Sequence, residues 1–207
     1  PWAAAFQRVA ELQGPRSEAE LRHDRSMRGR AQLVGRELEL KSLRDAFSDA
    51  IRNRRSRALL LLGDPGLGKR TLLERFIASL PRGACHVLRG VAQWSTRNQP
   101  LWAFVEMVRR FLQLDASTPL AEIQQRLEDL EVAGAPELAQ ALYDSIAAAS
   151  GEPVVLTALE RRDRIRALVR RLVRSLSMRR PLLLVMENLH LLDQESADLL
   201  SAWAEHR

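Results

Sequence analysis

The residues with the clearest chemistry lie in one short stretch, Ala58–Thr71, which reads ALLLLGDPGLGKRT. An apolar run of strand length ends at Gly63, and Lys69 opens a segment with apolar residues at helical spacing. Gly66 and Gly68 allow a tight turn whose backbone N–H groups point inward. The helix N-terminus and the ammonium group of Lys69 add positive charge. The stretch therefore predicts a loop that binds a di- or triphosphate, and an ordinary strand-to-helix turn is the alternative.

The position after the lysine departs from the phosphate-loop pattern. The spacing GxxxxGK fits, but the pattern continues with Ser or Thr, whose hydroxyl ligates Mg²⁺. Arg70 stands there instead, and a guanidinium has donors but no acceptor. A threonine follows only at Thr71. The sequence thus supports phosphate binding more firmly than hydrolysis. The predicted binding loop comprises Gly63, Asp64, Pro65, Gly66, Leu67, Gly68, Lys69, Arg70 and Thr71.

The use of lysine supports a chemical role for Lys69. The chain has 32 Lys and Arg residues, yet Lys41 and Lys69 are its only lysines. A compact point charge therefore occurs where a phosphate loop requires one, while arginine is the basic residue at all other positions except Lys41.

Composition limits the class of protein. The 207 residues are 46% hydrophobic, which suits one large domain or one domain with an appendage. The longest apolar runs have the length of strands, and no signal-peptide pattern opens the chain. A single cysteine, Cys85, fits a reducing compartment, so we expect a cytoplasmic protein without membrane contact or zinc. The net charge of +6 leaves nucleic-acid contact open.

The ends of the chain suggest a larger protein. It begins at Pro1 rather than Met and stops inside a predicted helix. We therefore expect a piece of a multidomain polypeptide that is truncated at its C-terminus, with other domains of the same polypeptide and self-association as candidate partners.

The N-terminal segment is predicted to be an appendage. Residues 1–14 have the spacing of a short amphipathic helix, and residues 1–32 as a whole form a helical appendage or linker. A helix follows Gly35, with Leu40, Leu43 and other apolar residues on one face, and Cys85–Val91 is predicted as the second strand.

Several helices are predicted between this strand and the next apolar run. One starts at Pro100, and others span Pro119–Leu130 and Pro136–Ala149, each with proline in its first turn. We interpret the acidic residues of this region as solvated. They are Glu122, Glu128, Asp129, Glu131, Glu137 and Asp144.

A capping box at Thr157–Glu160 opens a further helix with an arginine-rich side. This side is either solvated or a basic ridge for nucleic acid or an acidic partner. The ridge comprises Arg161, Arg162, Arg164, Arg166, Arg170, Arg171, Arg174 and Arg179.

The second candidate chemical position ends a buried strand. The apolar run 182–186 leads to Glu187 and Asn188. Ligands of open parallel sheets gather at the carboxyl ends of strands, so we expect Glu187 to face Lys69 across a bound phosphate. Asp193 is a candidate N-cap for the last helix, 195–206.

Three blocks together resemble the AAA-type modules of signal-transduction ATPases, the STAND class. Leu33–Leu40 resembles their opening box, Gly63–Thr71 their Walker A loop, and Leu182–Asp193 their Walker B stretch. Such modules often accompany bacterial transcription factors, protein kinases and nucleotide cyclases. The resemblance spans residues 33–207.

The resemblance implies an α/β fold of the P-loop NTPase type, a parallel sheet flanked by helices, with a helical insertion before the Walker B strand. It implies ATP or ADP as ligand and a switch role. The opening box lies beside the adenine in the family, which corresponds here to Val34, Gly35 and Arg36.

The departures from the family fall at chemical positions. Arg70 replaces the Mg²⁺ ligand, and Asn188 replaces the second acid after the Walker B run, where an amide cannot act as a general base. Thr71 and Glu187 are the remaining residues that could hold Mg²⁺, weakly. We therefore expect nucleotide binding with weak or absent hydrolysis. The alternatives are a scaffold that binds no nucleotide, with Arg70 itself filling the phosphate site, and an ATPase coupled to DNA.

Overall fold

The computed structural model describes residues 7–12, 35–115 and 117–205, and the side chains of 35–204 apart from 116. The described residues form four strands: β1 (Gln7–Leu12), β2 (Leu59–Gly63), β3 (His86–Val91) and β4 (Leu182–Glu187). They also form seven α-helices: α1 (Glu37–Asn53), α2 (Lys69–Ser79), α3 (Trp102–Phe111), α4 (Leu120–Asp129), α5 (Ala135–Ala149), α6 (Ala158–Arg179) and α7 (Gln194–Glu205).

The chain divides into two compact units. The first contains the described residues up to Arg82 and the end of α7 from Ser201, and the second contains 83–200. Each unit has one parallel pair of strands, β1 with β2 and β3 with β4. Parallel pairing suits β2 and β4, because both are nearly continuous apolar runs. The division of domains at residue 32 stays a prediction.

The helix predicted over residues 1–14 is wrong at Gln7–Leu12, which form β1. The rest of that segment lies outside the described residues. Short apolar runs suit a helix or a strand equally well, and the edge of β2 offers backbone partners that a local pattern does not reveal. Gln7 aligns with Leu59, and the register shifts once between Arg8 and Ala10.

In the first unit, α1 and α2 are amphipathic as predicted. Leu43 of α1 is buried, and so are Leu72 and Phe76 of α2. The rings of Phe47 and Phe76 meet edge to face with centroids 5.9 Å apart. Burial of the apolar face of α2 holds the helix that begins at Lys69 against the core of this unit.

In the second unit, helices α3 to α6 follow β3 in the chain and precede β4. Phe104 and Met107 of α3 are fully buried, as are Leu168, Leu172 and Leu176 of α6. The capping box of α6 is confirmed, since Thr157 Oγ1 accepts from Glu160 N and Glu160 Oε2 accepts from Thr157 N. Prolines begin α4 and α5 as predicted, with Pro119 at the N-cap and Pro136 in the first turn.

The helix expected at Pro100 begins slightly later. Leu101 is its N-cap, with a left-handed φ of 60°, and Trp102 is its first residue. A positive φ at leucine is unfavourable, and the surrounding structure holds it. Leu101 is fully buried, and its N–H donates to Asp193 Oδ1 at 3.2 Å.

The prediction that the acids of this region are solvated is wrong for Asp144. This residue is 1% exposed. Its Oδ2 accepts hydrogen bonds from Val155 N and Leu156 N, at 3.0 and 2.7 Å. Gln140 Nε2 donates to its Oδ1 at 2.7 Å, so three donors compensate the carboxylate for its burial. Asp144 therefore fastens the loop that leads into α6.

A second buried acid, Glu106 of α3, lies among arginines. It accepts from Arg109 Nε at 2.7 Å and from Arg110 Nε at 2.7 Å. The hydrogen bond from Arg109 is the main reason that the pKa of Glu106 is lowered, although burial opposes it. Glu106 is therefore held ionised as part of the packing.

Within the described residues, no helix is both long and apolar enough to cross a membrane.

Candidate functional site: the loop between β2 and α2

The predicted loop follows β2 directly and ends at the first residue of α2. Gly66 and Gly68 have φ of 86° and 80°, and Gly68 is the N-cap of α2. A Cβ at either position would meet no heavy atom within 4 Å, so the backbone conformation, not lack of space, selects glycine. Leu67 is 4% exposed and anchors the loop to the core. The geometry is that of a glycine turn fixed by its backbone conformation and by the burial of Leu67.

Lys69 lies at the centre of this turn. Its Nζ donates hydrogen bonds to Gly63 O at 2.6 Å and to Asp64 O at 2.8 Å. The ammonium is therefore held at the start of the loop, next to the helix N-terminus. Both sources of positive charge predicted from the sequence are brought together here.

Arg70 is directed along α2. Its Nε donates to Glu74 Oε1 at 2.9 Å, one helical turn further from the loop, and its side chain is 73% exposed. Exposed pairs at this spacing contribute only about 0.3–0.5 kcal/mol. This exposed ion pair therefore adds little to the stability of α2.

The structure describes three of the four remaining residues that were predicted to bind nucleotide. Thr71 is half-buried in the first turn of α2. Gly35 has φ of 75°, and Arg36 pairs with Glu39 at 2.8 Å in a mostly buried contact. Val34 lies outside the described residues. The part of the opening box that is described is therefore a turn closed by an ion pair.

Glu187 lies in the second unit, at the end of β4. It forms an ion pair with Arg89 of β3, whose Nε and Nη2 both lie 2.8 Å from its Oε1. The side chains are 28% and 15% exposed, Arg89 and Glu187 respectively. Arg89 aligns with Val185 in the parallel register, which puts it diagonal to Glu187 on the same face. The acid is therefore already neutralised by its neighbouring strand.

The backbone conformation at position 188 favours asparagine. Its φ is 58°, a left-handed value that asparagine adopts more readily than most residues. Its Nδ2 donates to Ala92 O at 3.2 Å, just beyond the end of β3. A carboxylate has no proton to donate there. The amide thus closes the end of the β3–β4 pair, while the second acid of the family pattern is lost.

The hydrogen bond from Asn188 Nδ2 to Ala92 O can be tested by substitution. Asn188→Asp should lower the free energy of unfolding by about 1 kcal/mol, because it removes one hydrogen bond and puts a charge beside a carbonyl oxygen. Denaturant unfolding measures the change. Gln93→Glu makes the same amide-to-acid substitution at an exposed neighbour and should have a much smaller effect. Equal midpoints for Asn188→Asp and the unaltered chain would contradict the structural role.

Asp193 is confirmed as the N-cap of the last helix, α7. Its Oδ1 accepts from Ser196 N at 3.0 Å and its Oδ2 accepts from Ser196 Oγ at 2.6 Å. The helix starts at Gln194, one residue earlier than predicted. The sequence does not reveal that the same carboxylate also holds Leu101 N, which joins the starts of α3 and α7.

The arginine-rich side of α6 is largely engaged within its own unit. Several of its arginines donate to backbone carbonyls or pair with acids of other elements, which gives a structural reason for their abundance. These contacts are Arg161 with Leu156 O, Arg171 with Ala133 O, Arg162 and Arg166 with Glu195, and Arg179 with Glu131.

These observations define a glycine-rich turn, with its lysine, between a parallel strand and a helix. Comparison with known families gives the class: the chain belongs to the AAA ATPase domain family, whose model it matches over residues 32–207. The match includes the opening box, the loop, Glu187 and Asn188. No curated protein and no solved structure matched the chain. Membership of this family implies a nucleotide-binding module of ATPase type.

The family also implies Mg²⁺, and the residues present do not fit it. Arg70 has no lone pair to offer a metal, and Glu187 is occupied by a guanidinium. Among the described residues, no group of three or more His, Cys, Asp or Glu side chains could hold a metal ion. The donor set of a hard divalent cation is therefore lacking at the two positions where the family pattern supplies it.

Proposed function

We propose that this chain is a nucleotide-binding regulatory module, a switch of the signal-transduction ATPase type that holds ATP or ADP with weak or absent hydrolysis. The observation that carries the proposal is the position of Lys69, whose Nζ lies at the loop carbonyls of Gly63 and Asp64 beside the N-terminus of α2. A helix N-terminus and a lysine within one glycine turn form a site for a polyphosphate anion.

Weak hydrolysis follows from the residues that stand at the metal and catalytic positions of the family pattern. Phosphoryl transfer depends mainly on positioning and on neutralising charge by Mg²⁺. Arg70 cannot ligate the metal, Glu187 is paired with Arg89, and Asn188 cannot accept a proton from water. Binding without turnover suits a module whose output is a change of state.

The proposed partners are other domains of the same polypeptide and a further copy of the module. The STAND resemblance supports this role, because such modules couple a nucleotide state to an attached effector. The internal contacts of the α6 arginines make direct DNA coupling the weaker alternative.

Calorimetric titration of the chain with ATP and with ADP tests the proposal. We expect saturable binding of both nucleotides and phosphate release no faster than the background measured with Lys69→Ala. Absence of binding would reject the module as a nucleotide switch and favour the scaffold alternative. Sustained phosphate release above that background would reject the weak-hydrolysis part alone.

A further inference from the structure

We infer that the first unit carries a second anion-binding surface, a cluster of three arginines at the end of α1 that binds the phosphodiester backbone of a nucleic acid duplex. This α1 cluster comprises Arg52, Arg54 and Arg55. It differs from the arginine-rich side of α6, which is largely engaged within its own unit. The inference goes beyond the proposed function, because the surface requires neither ATP nor its hydrolysis.

The first step is that the charge of the α1 cluster is not used within the described part of the chain. All three side chains are exposed. None of them forms a side-chain hydrogen bond or an ion pair with a residue that the structure describes. The earlier basic residues of α1 are different, since Lys41 pairs with Asp45 and Arg44 Nε donates to Ser79 Oγ at 3.1 Å. The cluster therefore offers three guanidinium groups to solvent.

The second step is that the nearest acid in the chain is already occupied. Asp49 Oδ1 accepts from Asn53 Nδ2, and its Oδ2 accepts from Arg57 Nε at 2.8 Å. The stretch 49–57 has four arginines and one aspartate, which leaves a net charge of +3. A concentrated charge of one sign attracts polyanions to this end of the helix.

The third step is the backbone that carries the cluster. Arg54 is the C-cap of α1 with a left-handed φ of 50°. The backbone N–H groups of Arg54 and Arg55 donate to Ile51 O and Ala50 O, at 3.3 and 3.1 Å. Glycine or asparagine is usual at such a cap, because a larger side chain is unfavourable there. The helix dipole favours a cation within the last turn, as at Arg52, but it does not account for the two arginines that follow.

The fourth step is the kind of anion that fits. A guanidinium presents a planar fork of donors that matches two phosphate oxygens, and a duplex carries phosphates densely along both strands. Residues 51–57 contain no aromatic side chain on which a base of a single strand could stack. Ile51 is the only large apolar residue among them, which is less than an interfacial membrane helix requires. The cluster therefore fits a duplex, read through its backbone.

The α1 cluster and the phosphate loop adjoin different ends of one strand. The cluster leads into β2 at Leu59, and the loop follows β2 at Gly63. Strand residues rise about 3.3 Å each, so the two ends of β2 are about 13 Å apart. A duplex at the cluster and a nucleotide at the loop thus engage different residues.

Fluorescence anisotropy of the chain with a labelled DNA duplex of arbitrary sequence tests the inference. Three phosphate contacts should give a slope of log K against log[salt] at least as steep as about −2.7, or about a 40-fold loss of affinity between 50 and 200 mM salt. The cluster variant, which combines Arg52→Gln, Arg54→Gln and Arg55→Gln, should have a slope shallower by about 2.7. Its unfolding midpoint should equal that of the unaltered chain, because the three side chains are exposed and unpaired within the described residues.

Two controls separate the cluster from net charge and from the loop. Combining Arg82→Gln, Arg170→Gln and Arg174→Gln removes three exposed guanidinium groups elsewhere and should leave the slope unchanged. Lys69→Ala removes the cation of the phosphate loop and should also leave it unchanged, although it weakens ATP binding.

Each remaining outcome decides the inference. An unchanged slope in the cluster variant would overturn it, and so would an equal change in both triple variants, because the effect would then reflect net charge. Single-stranded DNA, polyglutamate and phosphatidylserine vesicles are titrated at the same salt concentrations, and tighter binding of any of them than of the duplex would overturn the choice of partner. Duplex binding that depends on the cluster in a chain that fails to bind ATP would reject the proposed function and support this inference.

Discussion

Lys69→Ala is expected to weaken the binding of ATP and ADP by about 10- to 100-fold. The ammonium of Lys69 is held at the loop by Gly63 O and Asp64 O, where an entering phosphate would meet it. Hydrogen bonds that involve a charged group contribute about 1.5–3 kcal/mol, and each 1.4 kcal/mol is a factor of ten in affinity. Alanine removes both the charge and the donor while it keeps the helix that follows.

Thermal unfolding with added ATP measures this effect. A ligand at 100 times its dissociation constant stabilises a folded protein by about 2.7 kcal/mol, and a 100-fold weaker ligand at that concentration adds only about 0.4 kcal/mol. The matched control is Lys41→Ala, which removes the only other lysine of the chain. Lys41 pairs with Asp45 on the exposed surface of α1, so its loss should leave the ATP effect intact. Equal stabilisation of Lys69→Ala and the unaltered chain would place the nucleotide elsewhere.

The loop could be predicted from the sequence because everything that defines it is local. β2, the glycines and α2 follow one another within a few residues, and each is set by its own composition and spacing. Lys69 bonds to carbonyls five and six residues before it. A sequence pattern can therefore predict almost all of this loop.

The contacts around Glu187 could not be predicted in the same way. Arg89 is 98 residues from Glu187, Ala92 is 96 from Asn188, and Leu101 is 92 from Asp193. The first two depend on the parallel register of β3 with β4, and the third on the packing of the helices that follow these strands. No local pattern gives either. The sequence therefore shows that the acid pair of the family is altered, but not that Glu187 is neutralised by an arginine.

The burial of Asp144 likewise could not be predicted from the sequence. Its place in α5 beside Gln140 and Tyr143 is typical of a helix surface, and nothing in the spacing distinguishes it from the exposed acids nearby. Its burial depends on two backbone N–H groups in the loop after the helix, at 155 and 156. Whether a carboxylate is solvated or inside depends on donors that tertiary structure brings to it.

Asp144→Ala is expected to lower the free energy of unfolding by about 3 kcal/mol. A buried donor left without a partner, here Leu156 N, costs about 1–3 kcal/mol, and the hydrogen bonds from Val155 N and Gln140 Nε2 are lost as well. The loop would lose its attachment to α5 just before the capping box of α6. Denaturant unfolding, followed by a change in midpoint, measures the loss.

Two variants make the result decisive. Asp144→Asn keeps an oxygen that can accept from both N–H groups, so it should cost clearly less than alanine even if Asp144→Ala proves too unstable to purify. Glu152→Ala removes an exposed acid from the adjoining loop and should change the midpoint little. If all three variants unfold at the same denaturant concentration as the unaltered chain, Asp144 does not fasten the loop. A graded order, with alanine lowest and asparagine between, would show that the acceptor oxygen contributes to holding the entry to α6 even without the charge.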